Sequence, residues 1–218
     1  MDRLILYSYF RSSAAYRVRI ALNLKQLDYG THAIHLVNNG GENWHADYLA
    51  INPQGLLPAL DVGADNVLFQ SQAIIEYLDE KYPEPRLLPA ALDERAFVRG
   101  LAQIISCDIH PLNNLRSLKY LKDEFNGTEE KIESWYCHWM TEGFNAFEKQ
   151  LAKRSHPSNY CCGEQPSVAD IFLIPQMYNA RRFNCDVTNL PIIQGIEKNC
   201  LSLKAFQDAA PEVQADAH

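Results

Sequence analysis

Leu4-Ile5-Leu6-Tyr7-Ser8-Tyr9-Phe10-Arg11-Ser12-Ser13-Ala14-Ala15-Tyr16-Arg17-Val18-Arg19-Ile20-Ala21-Leu22-Asn23-Leu24-Lys25 is the stretch whose reading decides the fold. Leu4 to Tyr7 is the short apolar run of a core strand, and Ala14, Val18, Ala21 and Leu22 then fall at helical spacing. Between them Arg11-Ser12-Ser13 forms a sharp polar turn. Ser12 and Ser13 are both good N-cap residues, so a helix starts here with free backbone N–H groups and the positive end of its dipole facing outward. That geometry suits an anion. A hydroxyl so placed also donates to a thiolate, and thiols at helix N-termini have pKa values depressed from about 8.5 to roughly 3.5–7.5. These residues alone leave two roles for Ser12 open: a helix cap and nothing more, or a cap that also serves a bound sulfur.

The 218 residues, 47% of them hydrophobic, suffice for one large or two small domains with a real core. Lys and Arg number 20 against 27 Asp and Glu, and the net charge of -7 argues against nucleic acid or an anionic membrane as the main partner. No apolar run approaches the ~18 residues needed to cross a bilayer, and the amino terminus lacks the charged-then-apolar pattern of a signal peptide. A cytoplasmic protein is expected. Cys107, Cys137, Cys161, Cys162, Cys185 and Cys200 form neither a C-x-x-C pair nor a zinc-like spacing, so the expectation is reduced, mostly structural thiols and no metal.

Outward from the first helix, Tyr29 to Leu36 alternates partly with period two and reads as a second strand, which Gly40-Gly41 ends. Glu42 to Leu49 carries Trp44, Tyr48 and Leu49 at helical spacing. Ile51 to Leu60 is a loop with two prolines entering a strand, and Pro58, at the strand's start, implies either an edge position or a cis bond. Val67-Leu68-Phe69 is a further short strand. Gln70-Ser71 precedes a helix through Ile74, Ile75, Leu78 and Tyr82, with Ser71 its expected N-cap. The order β-α-β-α-β-β-α over residues 1–82 predicts an α/β unit with helices on a mixed sheet.

Three prolines within residues 83–89 cannot continue a helix, so a linker is expected there, followed by an all-helical domain over 90–218. Glu94 to Leu121 reads as a long helix kinked or functional from Asp108 to Arg116. Glu129 to Leu151 is amphipathic, with Trp135, Trp139, Phe144 and Phe147 assigned to the core. Ser167-Val168-Ala169-Asp170 resembles a capping box opening a buried central helix, and Ala209 to His218 is expected to fray.

A small α/β domain with a proline before a strand and a Gln-Ser helix start, joined to an all-helical domain, resembles the cytosolic glutathione transferases, whose first domain is thioredoxin-like. Ser12-Ser13-Ala14-Ala15-Tyr16-Arg17-Val18-Arg19-Ile20-Ala21-Leu22 is similar to the zeta-class signature S-S-C-x-W-R-V-R-I-A-L. Zeta-class enzymes are glutathione-dependent maleylacetoacetate isomerases and, in some bacteria, maleylpyruvate isomerases. Cys107 to Arg116 resembles the bacterial maleylpyruvate isomerase form, and Asn179-Ala180-Arg181-Arg182-Phe183 fits the family's C-terminal pattern. Ala14 stands where the class has cysteine and Tyr16 where it has tryptophan, so no protein thiol assists at the turn and the sulfur chemistry must rest on glutathione.

The resemblance implies roles residue by residue. Ser12 would hydrogen-bond the glutathione sulfur, with Ser13 and Arg11 beside it in the catalytic turn. Gln70 and Ser71 would hold the γ-glutamyl end. The backbone of Leu57, before a cis Pro58, would pair with the cysteinyl unit as one strand pairs with another. Asn43 and His110 would serve the glycine end, with Asp108 and Asn114 nearby. Arg11, Arg116 and Arg182 match positions that hold a diacid, and a guanidinium is the side chain best shaped for a carboxylate. Arg17 and Arg19, inside the helix, are expected to serve packing or domain-interface ion pairs. The implied reaction is cis-trans isomerisation of a maleyl diacid by reversible thiolate addition, in a homodimer. The alternatives are conjugation or dehalogenation of small α-halo acids on the same fold, and a non-catalytic binding descendant.

Overall fold

The computed structural model describes residues 4–154 and 158–217, in two compact units. The first contains residues up to Leu87 together with Ser202 onward, and the second runs from Leu88 to Leu201. The segment after Leu201 belongs with the first unit and does not extend the second. No described helix is long and apolar enough to cross a membrane.

In the first unit β1 (Leu4–Ser8), α1 (Ser13–Leu24), β2 (Tyr29–Ala33), α2 (Ala46–Ile51), β3 (Ala59–Asp61), β4 (Val67–Phe69) and α3 (Ser71–Lys81) follow in order. The sheet runs β2-β1-β3-β4, with β1 parallel to β2 and antiparallel to β3, and β3 antiparallel to β4. Leu6, Ile20, Leu22, Leu60, Ile74 and Ile75 are fully buried, so α1 and α3, which pack on each other, cover the sheet with the apolar positions that the spacing picked out. Fully burying one such side chain contributes about 1.5–3 kcal/mol. β2 stops at Ala33, short of the expected Leu36, because local turn bonds win: His35 Nδ1 accepts from the amides of Val37 and Asn38, and the Glu42 carboxylate accepts from His35 N. The helix expected over Glu42–Leu49 is split at His45 into a 3-10 turn, Glu42–Trp44, and α2.

Of the two roles expected for Arg19, the structure shows packing and, among the described residues, not an ion pair. Its guanidinium is fully buried and donates to neutral oxygens: Ala209 O at 2.9 Å, Ser8 Oγ at 3.1 Å, Phe10 O at 3.0 Å and Tyr9 O at 3.5 Å. The tail expected to fray is likewise held. Phe206, Ala209 and Pro211 are buried, and the Asp216 carboxylate accepts from Phe10 N at 2.9 Å. His218 lies outside the described residues.

The second unit is helical: α4 (Leu92–Gln103), α5 (Leu115–Phe125), α6 (Glu129–Ala152), α7 (Val168–Arg182) and α8 (Pro191–Leu201). The long helix read from Glu94 to Leu121 is interrupted. α4 passes into a π-helical turn, Ile104–Ile109, closed by His110 N donating to Ile105 O, and Asn114 then caps α5. The wider turn brings Ile109 onto α6 at Gly143, where a Cβ would sit 2.3 Å from Ile109 Cδ1, so only glycine admits this approach. Phe144 and Phe147 are core residues, whereas Trp135 and Trp139 are half-buried, with Trp135 Nε1 donating to Leu112 O. α7 is buried along most of its length, and the capping box is present: Asp170 accepts from Ser167 N at 2.8 Å and Ser167 Oγ at 2.7 Å.

Cys137 and Cys185 form a disulfide across 48 residues of sequence, which corrects the expectation for these two of the six cysteines. The pairing was invisible because α6 and the turn after α7 meet only in the folded unit. Cys107, Cys161, Cys162 and Cys200 are free thiols, and burial pushes the Cys161 and Cys200 thiols up. Alkylation of the denatured, unreduced protein is expected to modify these four and, after reduction, all six. Six modified without reduction would remove the disulfide.

Candidate active site

Three pairs of adjacent residues meet at one end of the first unit's sheet, and strand register is the reason. Tyr7 of β1 pairs with Ala59 of β3, and Ala59 pairs with Phe69 of β4. The turn leaving β1, the Leu57-Pro58 step entering β3 and the Gln70-Ser71 step leaving β4 therefore lie together. Ser12 is the N-cap of α1: its backbone is extended, and its Oγ accepts from Ala15 N at 3.2 Å. That bond uses a lone pair and leaves the hydroxyl proton to be donated outward. Ser13 is buried and begins the helix, and Arg11 is exposed with its guanidinium 4.9 Å from the Phe10 ring.

The Leu57-Pro58 bond is cis. Among the described residues nothing pairs with the backbone N–H or C=O of Leu57, so the step entering β3 offers one unpaired donor and one unpaired acceptor beside the turn. Ser71 is not the cap of α3. Gln70 holds that position at φ +67°, without a side-chain cap, and Ser71 is the first helical residue. The Ser71 hydroxyl is engaged instead by Arg17 Nη1 at 3.4 Å, while Gln70 Nε2 donates to Gln54 Oε1. A non-glycine residue at positive φ costs about 1 kcal/mol or more and concentrates where geometry serves function. Asn43 is buried and donates from Nδ2 to Gly55 O at 2.8 Å, which pins the loop leading to Leu57, and its Oδ1 has no partner among the described residues.

In the second unit Asp108, His110, Asn114 and Arg116 follow one another through the π-helical turn and the start of α5. Asp108 and Arg116 are exposed, His110 is half-buried, and Asn114 Oδ1 accepts from Arg116 N at 3.1 Å. Arg182 ends α7, with its guanidinium 5.0 Å from the Phe183 ring, and Phe183 stacks on Tyr136 of α6 at 3.9 Å. Asn113 Nδ2 donates to Tyr136 O at 3.0 Å. Both segments therefore converge on α6 at Tyr136. Burial pushes the Tyr136 phenol up, and the Arg182 charge opposes that. Arg181 pairs with Glu197, but among the described residues no carboxylate pairs with Arg11, Arg116 or Arg182. Three unpaired guanidiniums in a chain of net charge -7 retain their full capacity for a carboxylate ligand. Sequence reasoning picked out Phe183 only within the pattern over residues 179–183 and missed Tyr136 beside it, because an aromatic residue in an amphipathic helix reads as core.

A mixed sheet in this order followed by an all-helical unit defines the glutathione transferase fold. Residues 6–86 match the glutathione S-transferase N-terminal domain family. The probable maleylacetoacetate isomerase of Vibrio cholerae is 49% identical over all of both chains. A holo structure of maleyl pyruvate isomerase, a bacterial zeta-class glutathione S-transferase, superposes with a TM-score of 0.95 at 46% identity, covering 98% of this chain and 100% of that one. The maleylacetoacetate isomerase of Anaeromyxobacter dehalogenans, crystallised with glutathione in its active site, gives 0.88 at 37% identity over 99% and 98%. This chain belongs to the zeta class of glutathione transferases, the family of the maleylacetoacetate and maleylpyruvate isomerases. Its residues fit glutathione: the unpaired N–H and C=O of Leu57 suit a peptide backbone, the Ser12 hydroxyl has a proton to donate to sulfur, and α3 starts after Gln70 without a side-chain cap.

Proposed function

We propose that this protein is a glutathione-dependent cis-trans isomerase acting on a maleyl diacid, maleylacetoacetate or maleylpyruvate, to give the fumaryl isomer. When bound, glutathione supplies a thiolate that adds reversibly to the conjugated double bond, so that the bond becomes single, rotates and re-forms on release. Ser12 donates its hydroxyl proton in a hydrogen bond to that sulfur, and the α1 N-terminus adds its dipole, which together stabilise the charged form. Lowering the thiol pKa by about two units corresponds to roughly 2.7 kcal/mol. Ser13 and Arg11 complete the turn. The Leu57 peptide pairs with the cysteinyl unit, with Pro58 shaping the chain there. Gln70 and Ser71 hold the γ-glutamyl end, and Asn43, Asp108, His110 and Asn114 the remaining polar groups. Arg11, Arg116 and Arg182 take carboxylates of the diacid; a guanidinium that keeps one carboxylate fixed while the other swings favours the isomerisation over non-productive release.

What carries this reading is the Ser12 hydroxyl at the start of α1, set by strand register at the same end of the sheet as the unpaired Leu57 peptide. A cytoplasmic location and a homodimer are parts of the same reading, and the homodimer rests on the family resemblance alone. The test is to follow the absorbance of maleylpyruvate and of maleylacetoacetate with purified protein, each with and without glutathione. Conversion to the fumaryl isomer is expected only with glutathione, and the ratio of the two kcat/KM values names the substrate. No conversion of either would sink the isomerase and leave conjugation or dehalogenation of small acids.

A further inference from the structure

The turn that carries Ser12 is tied down from a part of the chain about as distant in sequence as the protein allows. Phe10 N donates to the Asp216 carboxylate at 2.9 Å, a contact spanning 206 positions. Phe10 O accepts from Arg19 Nη2 at 3.0 Å. Tyr9 O accepts from Ser12 N at 2.9 Å and from Arg19 Nη1 at 3.5 Å. The same guanidinium, through Nε, holds Ala209 O at 2.9 Å, and so anchors the segment that delivers Asp216. Neither β2 nor β3 holds this turn, since the β1 ladders stop at Ser8 on one side and at Tyr7 on the other. A strand-to-helix turn of this kind is ordinarily among the more mobile parts of a fold. Here both peptide groups of Phe10 are fixed by side chains, and the residue two positions on is Ser12.

We propose that Asp216 is a positioning residue of the thiol site: by accepting the Phe10 amide it fixes the turn so that the Ser12 hydroxyl meets the glutathione sulfur. The inference rests on the role of Ser12 given above. Arg19 supplies the frame, with Tyr16, whose ring lies 5.3 Å from its guanidinium, as a packing partner. Asp216 contributes more than any acceptor at a loop end would, because a carboxylate accepts from a backbone amide more strongly than a neutral oxygen does. The Asp216 charge also lies close enough to Arg19 to favour its ionised form, against the burial that lowers the guanidinium pKa to about 10. No step of the reaction passes through Asp216. Its effect reaches the sulfur only through the hydroxyl two residues along from Phe10.

The test compares the unaltered protein with Asp216→Ala, Asp216→Asn and Ser12→Ala, reading the pKa of bound glutathione from thiolate absorbance across a pH series, with Tm and kcat/KM recorded beside it. Asp216→Ala is expected to raise the bound thiol pKa by about one unit. Its kcat/KM then falls by about tenfold near neutral pH and recovers at alkaline pH, where the thiol ionises unaided. A change of stability alone would lower activity by the same factor at every pH. Asp216→Asn retains an oxygen that accepts the Phe10 amide and is expected to stay within about threefold of the unaltered protein. A bound thiol that titrates unchanged in Asp216→Ala while shifting in Ser12→Ala overturns the role of Asp216 alone. An unchanged thiol in Ser12→Ala overturns both readings, and an Asp216→Asn protein as impaired as Asp216→Ala overturns the hydrogen bond as the cause.

Discussion

Ser12→Ala is expected to lower kcat by about 10²–10³-fold at neutral pH, while glutathione affinity changes by no more than about threefold. The asymmetry follows from what the hydroxyl touches. Glutathione would be held along its length by the Leu57 peptide and by the start of α3, none of which involves Ser12. In the proposed complex the hydroxyl would meet only the sulfur of glutathione, so its loss would withdraw stabilisation from the thiolate and leave the rest of the binding energy in place. The methyl of alanine also removes the Ala15 N–H acceptor, and a lost N-cap costs about 1 kcal/mol of stability, an amount visible in Tm but far short of unfolding the protein. Ala14 sharpens the prediction, because no neighbouring cysteine can substitute for the lost donor. Steady-state kinetics with a maleyl substrate and calorimetric titration with glutathione separate the two effects. Full activity in the variant would remove Ser12 from the chemistry.

Asp170→Ala is expected to destabilise the second unit strongly, costing about 3–5 kcal/mol and about 10 °C in Tm. Asp170 is fully buried and accepts from Cys161 N at 2.9 Å, Ser167 N at 2.8 Å and Ser167 Oγ at 2.7 Å. Its removal leaves two backbone amides without acceptors in a dry interior, opens the capping box of α7 and frees the loop before it. Asp170→Asn retains one acceptor oxygen and is expected to lose less. Burial raises the Asp170 pKa, and the hydrogen bonds from Cys161 and Ser167 only partly oppose it. A raised folded pKa means that the group's contribution is fully present below its unfolded pKa and declines as pH rises through the folded one. The advantage of the native carboxylate over Asp170→Asn is therefore largest in acid and shrinks toward neutrality. Thermal unfolding of both proteins across that range measures it, and an advantage that grows with pH would overturn the assignment.

Local chemistry accounts for most of what was legible in advance. The β1-turn-α1 stretch, the β3 proline, the α3 apolar stripe and the Ser167–Asp170 box each involve residues within one or two turns of each other, where spacing and capping rules act directly. The departures came where a distant group outcompeted the local preference. Ser71 is a natural cap, but Arg17 of α1 takes its hydroxyl and the cap position passes to Gln70. The helix read through Ile104–Ile109 is wound wider because Ile109 finds a glycine on α6. The tail read as frayed is held by Arg19 and Phe10.

By itself the sequence determined that the chain forms an α/β unit followed by a helical one and that its first turn opens a helix whose end suits an anion, since composition, period and capping are properties of neighbours; a diacid role for its arginines came only from the family resemblance. Tertiary structure alone decided which polar groups remain available. Register at one end of a four-stranded sheet gathers the Ser12 turn, the Leu57 peptide and the Gln70 step, three segments spread over about sixty positions. Long-range pairing likewise occupies Ser71, Arg19, Cys137 and Cys185 and leaves Arg11, Arg116 and Arg182 without partners among the described residues. Whether a side chain is engaged depends on what folding brings within about 3 Å of it, a distance that spacing along the chain does not encode.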